Sequence, residues 1–297
     1  MTSLLIQWVR AGILLIGLGY GGLSDLRSRE VGDRLWLLMG LGGGILLVAS
    51  DIGASIWTLL ADILVVFFVI EHFSSWEDYF GESGSLPLLL EAALYIIVPA
   101  TVAYGFLFHP SVVSVDLIII VISVLIARGL FEARLLYGGA DAKALMASSL
   151  VLPLMLAPFP IVNPPVSYAT STLLTYTPVG ITILIDGALL TLLIPIGMLV
   201  VNFRRGFREF PEALYLLEIP TKELPHHFVW LRRPPPEGEE DVETAKEDQE
   251  LREAEMRRLL DLGVDRVLVT PQLPMVTALA AGAFAALFFG NFLYFVF

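Results

Sequence analysis

The sequence predicts an all-α polytopic membrane protein of about eight transmembrane helices, with a small α/β cytoplasmic domain before the last helix. Three observations carry this expectation. The chain is 56% hydrophobic and only 16% charged, whereas soluble domains carry about a quarter charged residues. Apolar runs near the ~20 residues that a bilayer crossing requires recur along its length. Its Lys and Arg residues gather in a few segments instead of spreading evenly.

The apolar runs, in order, are Leu4–Ser24, Leu35–Ser50, Ile52–Ile70, Leu86–Phe108, Val112–Ala127, Ala142–Ala157, Thr177–Val201 and Met275–Phe297. The second, fifth and sixth are short, so their ends are soft. Orientation follows from the basic residues, which favour the cytoplasmic side. With the N-terminus outside, the inner segments are 25–34, 71–85, 128–143 and 202–272. They then hold every Lys and Arg except Arg10, which lies within the first span. The long outer segment Phe159–Tyr176 has no basic residue. No cleavable signal peptide is expected in Met1–Leu23, which lacks a small-residue cleavage site.

The expected domains are a transmembrane domain over 1–201, a cytoplasmic domain over 202–272 and a C-terminal helix over 273–297. Within 202–272, Pro234-Pro235-Pro236 reads as a stiff spacer. Glu237–Asp261 is charge-dense and helical in period, with Asp248→Arg252 and Glu253→Arg257 spaced to pair. Gly263 is its C-terminal cap. His227–Leu231 and Arg266–Val269 read as short strands. The inner loop Glu71–Ser85 is acidic and carries Phe73, Trp76, Tyr79 and Phe80, which suit a membrane interface.

Several function classes are excluded or disfavoured. The chain has no cysteine, so disulfides, thiol catalysis and thiolate metal sites are ruled out. A net charge of -12 argues against nucleic acid as a partner. The four histidines show no metal-ligand spacing, and there is no phosphate-cradling glycine pattern. No metal and no cofactor are expected.

What remains for chemistry is a pair of carboxylates. Asp141 follows the turn Gly138-Gly139 and stands at the mouth of the sixth run. Asp25 ends the first run, behind Gly17 and Gly21, which form a GxxxG pair that admits a neighbouring helix closely. Gly21 shares a helical face with Asp25. An acid at the mouth of a span is costly and marks a functional site by default. Each also has a plainer reading: Asp25 as a solvated acid beside Arg27 and Arg29, and Asp141 as a helix N-cap. Gly138 and Gly139 offer backbone conformations closed to other residues. Lys143 can pair with Asp141, anchor at the headgroups or act on a neighbouring acid. Two carboxylates face to face cannot both ionise, so one holds a proton while the other acts as base, and the pair titrates as a unit.

Gly138-Gly139-Ala140-Asp141-Ala142-Lys143 resembles the GxGD motif of the type IV prepilin peptidase family of intramembrane aspartyl proteases, and in particular the archaeal preflagellin (prearchaellin) peptidases. The resemblance is sharp over residues 20–34 and 136–147. It implies that Asp25, ahead of Arg27 and Arg29, and Asp141 are the catalytic pair, with Gly138, Gly139 and Lys143 in support. It implies a multi-pass protein of the cell membrane, of archaeal type, with its active site facing the cytoplasm. The implied partners are prearchaellin or prepilin-like precursors with short basic leader peptides (type III signal peptides). The acids Glu30, Asp33 and those of 71–85 would attract such a leader. Two departures stand out. Ala140 replaces the motif's second glycine, and eight runs replace six, with the extra pair inside 51–110. Without cysteine, peptidase activity alone is expected, and not the methyltransferase activity of bacterial relatives.

Other acids lie within runs: Asp62, Glu91, Asp116 and Asp186, with Asp62 placed to pair with Arg10 across helices. They support an alternative, a proton-coupled transporter, although no internal repeat of the kind transporters show is present. A non-catalytic assembly scaffold docking through 202–272 is a third reading. A cleavage assay and an ion-flux assay separate the three.

Overall fold

The described residues of the computed structural model are 4–73, 85–109, 115–136, 138–156, 158–162, 176–226, 228–231, 253–254 and 256–292. Over these the chain is mostly helical, as an apolar sequence must be where the bilayer offers the backbone no hydrogen-bond partners. The helices are α1 (Leu4–Ser28), α2 (Asp33–Ser50), α3 (Ile56–Glu71), α4 (Ser85–Phe108), α5 (Val115–Glu132), α6 (Gly139–Val151), α7 (Val179–Thr191), α8 (Leu193–Arg204) and α9 (Met275–Phe289). Each falls on one of the eight apolar runs, with α7 and α8 sharing the seventh.

Four stretches are long and apolar enough to cross a membrane: Leu4–Ser28, Asp33–Ser50, Leu89–Phe108 and Val179–Arg204. The others fall short for physical reasons. α3 has 16 residues, α6 has 13 and α9 has 15. α5 has 18 but includes Asp116, Arg128 and Glu132.

The chain divides into two compact units, Met1–Leu190 with Met275–Phe297, and Thr191–Pro274. In the first, α1 packs along α9 and α2, α6 lies against α2, α5, α1 and α9, and α3 joins α2, α4 and α5. The glycines of the sequence set these approaches. A Cβ on Gly22 would lie 3.1 Å from the Thr277 backbone, and one on Gly43 would lie 2.8 Å from that of Val151. α1 and α2 therefore press directly on the backbones of α9 and α6, the close packing that small residues allow in membranes. Trp36, Leu14, Leu18, Leu47, Val65 and Phe68 are among the residues filling the core between them.

The second unit contains a three-stranded antiparallel sheet, β1 (Leu217–Pro220), β2 (Val229–Leu231) and β3 (Arg266–Pro271), in the order β1-β3-β2. Leu217 pairs with Val269 and Trp230 with Thr270. β2 and β3 lie within or beside the predicted strands, while β1 is an addition. Ile219, Leu224, Val229 and Val269 form a small core that Met256 and Leu259 cover. Residues 256–261 are helical, and Gly263 ends them at φ 73°, where Val264 N–H returns to Leu259 O at 2.9 Å, a glycine cap. Arg257 Nη2 lies 3.9 Å from Glu253. Asn202 is fully buried and donates to Ala213 O and Leu216 O, tying α8 to the turn before β1. The proline spacer, most of the predicted 237–261 helix, His227, most of the acidic 71–85 loop and most of 159–176 lie outside the described residues.

Candidate active site

Four helix ends gather around the two aspartates. α1 brings Asp25 in its last turn, and α2, α6 and α9 begin there. A helix N-terminus carries partial positive charge and unpaired N–H groups, so three such termini make a setting in which buried carboxylates are tolerated. Asp25 is 8% exposed and Asp141 7% exposed.

Asp25 Oδ2 accepts the backbone N–H of Val276 at 2.9 Å and that of Thr277 at 3.4 Å. α9 follows Pro274, whose side chain cannot accept a hydrogen bond, so its orphan N–H groups need an acceptor from elsewhere. Asp25 supplies it from α1. Thr277 Oγ1 donates to Gly22 O at 2.8 Å, which fixes the register of α9 on α1. Arg29, one turn beyond Asp25, acts on it electrostatically.

Asp141 is the third residue of α6, with Gly138 in the capping position. Its carboxylate turns back to accept the backbone N–H of Gly138, one half of a capping box. The plainer alternative, Asp141 as the N-cap itself, does not hold: Gly138 takes that position and Asp141 stands three residues inside. The expectation about glycine conformation is corrected as well. Gly138 has φ −94° and ψ 126°, open to any residue. What glycine supplies at 138 is room, because a Cβ there would sit 2.6 Å from Asp141 Oδ2. At Gly139 a Cβ would meet, among the described residues, only Phe131, at 4.0 Å. Ala140 lies in the first turn of α6, where alanine is favoured over glycine, so the departure from the motif has a local reason.

The two aspartates are brought together: Asp25 is a charged neighbour that acts on the Asp141 carboxylate, and α1 touches α6 directly. Lys143 does not pair with Asp141. Its Nζ lies 2.6 Å from Asp33 Oδ1, in the first turn of α2, so Asp33 is engaged within the chain. That pair is partly exposed, and such pairs contribute about 0.2–1 kcal/mol. Lys143→Met is expected to lower thermal stability by no more than that, and a melting curve with added salt checks it, since salt should narrow the gap from the parent.

The competing acids find other places. Asp186 is fully buried, and its Oδ1 accepts Phe292 N–H at 2.8 Å, which fastens the chain beyond α9. Asp186→Ala would orphan that N–H, at a cost of about 1–3 kcal/mol, read as a lowered unfolding temperature. Glu91 lies 3.5 Å and Glu132 2.7 Å from Arg128. Arg10 lies 4.0 Å from Asp116, so the anticipated Arg10–Asp62 pair is replaced. His72 bonds Phe68 O and the Tyr95 hydroxyl.

Sequence reasoning counted Asp33 among the acids that would attract a leader and did not foresee its bond to Lys143; it did not identify Val276 or Thr277. For the last two the signal is the sequence Pro274-Met275-Val276-Thr277, a helix start with no polar cap of its own. No family model matches the chain, and no curated protein matches it.

Proposed function

We propose that this chain is a membrane-embedded aspartyl endopeptidase that removes the short basic leader from archaellin or type IV pilin-like precursors at the cytoplasmic face. The observation that supports this most is the nearness of Asp25 and Asp141, both nearly buried and electrostatically coupled, at the meeting point of α1 with the starts of α2, α6 and α9. The distribution of basic residues places that meeting point inside. Eight crossings are part of this reading, with α3, α5, α6 and α9 completing the four longer spans.

Roles follow from the partners. Asp25 holds two backbone N–H groups at the α9 terminus, which suit its charged form. That charge acts on Asp141. The proton shared by the pair thus resides on Asp141, and Asp25 is the base. Asp25 takes a proton from a water placed between them. The hydroxide adds to the scissile carbonyl, whose oxygen Asp141 polarises. The leaving amine departs with a proton returned from the pair. No metal or covalent intermediate is needed.

The test is incubation of membranes holding the full chain with a precursor that carries a basic leader and a hydrophobic helix. Cleavage at the leader boundary is the expected result. An intact precursor beside folded enzyme rejects the proposal.

A further inference from the structure

The indole N–H of Trp36 is a buried donor without a use inside the protein. Trp36 lies in the first turn of α2, three residues after Asp33. It is 0% exposed, and its Nε1 has no hydrogen-bond partner among the described residues. A buried indole N–H usually finds an acceptor, because an orphan donor carries the full cost of its desolvation. A phenyl or aliphatic side chain would fill a core position without that cost, so packing alone does not account for tryptophan here.

A glycine sets its place. A Cβ on Gly21 would lie 3.2 Å from Trp36 Cη2, 3.2 Å from Val276 Cγ1 and 3.1 Å from Leu35 Cδ2. With no side chain at 21, the indole of α2 and the first turn of α9 both reach α1 at one point. Gly21 stands one helical turn before Asp25, on the same face. Val276 is also the residue whose N–H meets Asp25 Oδ2 at 2.9 Å. The indole therefore lies among the helix ends that hold Asp25, one turn further along α1 from the mouth. Val276 stands beside both groups, so a substrate that displaces the start of α9 to reach Asp25 reaches the indole as well.

The chemistry of the substrate says what such a donor is for. A peptide bond inside a helix is shielded from attack, so the segment being cut is extended, and its carbonyls lose their internal partners. The bilayer interior offers no replacement, and an unpaired carbonyl there is costly. A protein donor must stand in. The indole N–H is donor-only, so it suits a carbonyl and cannot serve a substrate N–H.

We propose that the Trp36 N–H donates to a backbone carbonyl of the extended substrate segment beside the scissile bond, which makes Trp36 a substrate-binding residue of the Asp25–Asp141 site. This rests on the peptidase reading. No proton is transferred: the indole keeps its hydrogen, and bond cleavage stays with the two carboxylates. Because the bond forms on binding and persists in the transition state, it acts on KM more than on kcat.

The test uses the full chain in lipid nanodiscs and a synthetic precursor peptide with a basic leader and an apolar helix. Asp141→Asn is the background, so that the peptide binds without being cut, and NMR follows the indole N–H signals. The chain has five tryptophans. The Trp36 signal is the one missing when position 36 carries benzothienylalanine, whose sulfur replaces the N–H in a ring of nearly the same shape. The expected result is a downfield move of that signal as peptide is added. With Asp141 restored, the sulfur replacement should lower kcat/KM on the order of tenfold, through KM with kcat nearly unchanged, at an unaltered unfolding temperature. Trp36→Phe should show the same split and, having lost packing, a lower unfolding temperature. A Trp36 signal that stays put while the peptide binds overturns the proposal. So does parental kcat/KM in the sulfur variant, or a cross-peak to water before peptide is added, which would show the donor already satisfied. A parent that neither binds nor cuts the peptide rejects the peptidase reading and this proposal with it. A parent that cuts while the Trp36 signal never moves rejects this proposal alone.

Discussion

Asp141→Asn is expected to abolish leader cleavage, by at least about a hundredfold, the low end of what a positioned proton-transfer group contributes. Asp25→Asn is expected to do the same. The choice of asparagine matters, because both aspartates also hold helix ends together. Asp25 accepts from Val276 and Thr277, and Asp141 accepts from Gly138. An asparagine side-chain oxygen can still accept these N–H groups, so thermal stability should stay within about 1 kcal/mol of the parent. What asparagine cannot do is carry the charge or exchange the proton. Asp25→Ala separates the roles further. It orphans two N–H groups at the start of α9 and should cost a further ~1–3 kcal/mol of stability. The check is a precursor mobility shift in membranes at matched expression, alongside a melting curve. If either asparagine variant cleaves at the parental rate, the carboxylates are helix caps and the catalytic reading is lost.

Much of the first unit is legible in the sequence because it is local. Apolar runs bounded by Gly, Pro and charge mark the helices, and a small-residue face marks where a neighbour presses in, as Gly22 and Gly43 do. Asp25 and Asp141 stand out for the same reason: each is an acid within three residues after a glycine pair at a span's end. What the sequence withholds is contributed from far away. The donors on Asp25 lie 251 and 252 residues along the chain, and the partner of Lys143 is 110 residues away. Periodicity reveals which face of a helix is apolar, but not which helix will cover it. The Arg10 partner was misjudged on that account, since Asp62 and Asp116 both suit a guanidinium and only the packing of α3 and α5 decides between them. β1 escaped notice because Leu217-Glu218-Ile219-Pro220 is short and ends in proline, tolerable only because the strand lies at a sheet edge.

Gly138→Ala is expected to cut cleavage by about a hundredfold while leaving the fold intact, and it tests the geometry more sharply than removing an acid does. Alanine suits the backbone at 138, where φ is −94°, so no strain arises from conformation. The new methyl would lie 2.6 Å from Asp141 Oδ2. The carboxylate must retreat by about 0.8 Å before the contact becomes an ordinary van der Waals one. It would then leave the Gly138 N–H and the position from which it faces Asp25. A displacement near 1 Å at a reacting group can cost about a hundredfold in rate, whereas one weakened capping bond costs about 1 kcal/mol of stability. Gly139→Ala is the control, since a Cβ there meets nothing among the described residues closer than 4.0 Å and alanine favours the first turn of α6. It should cleave at close to the parental rate. If both glycine variants lose activity equally, the turn matters through its flexibility. If neither does, the orientation of the Asp141 carboxylate over Gly138 is not the reactive one.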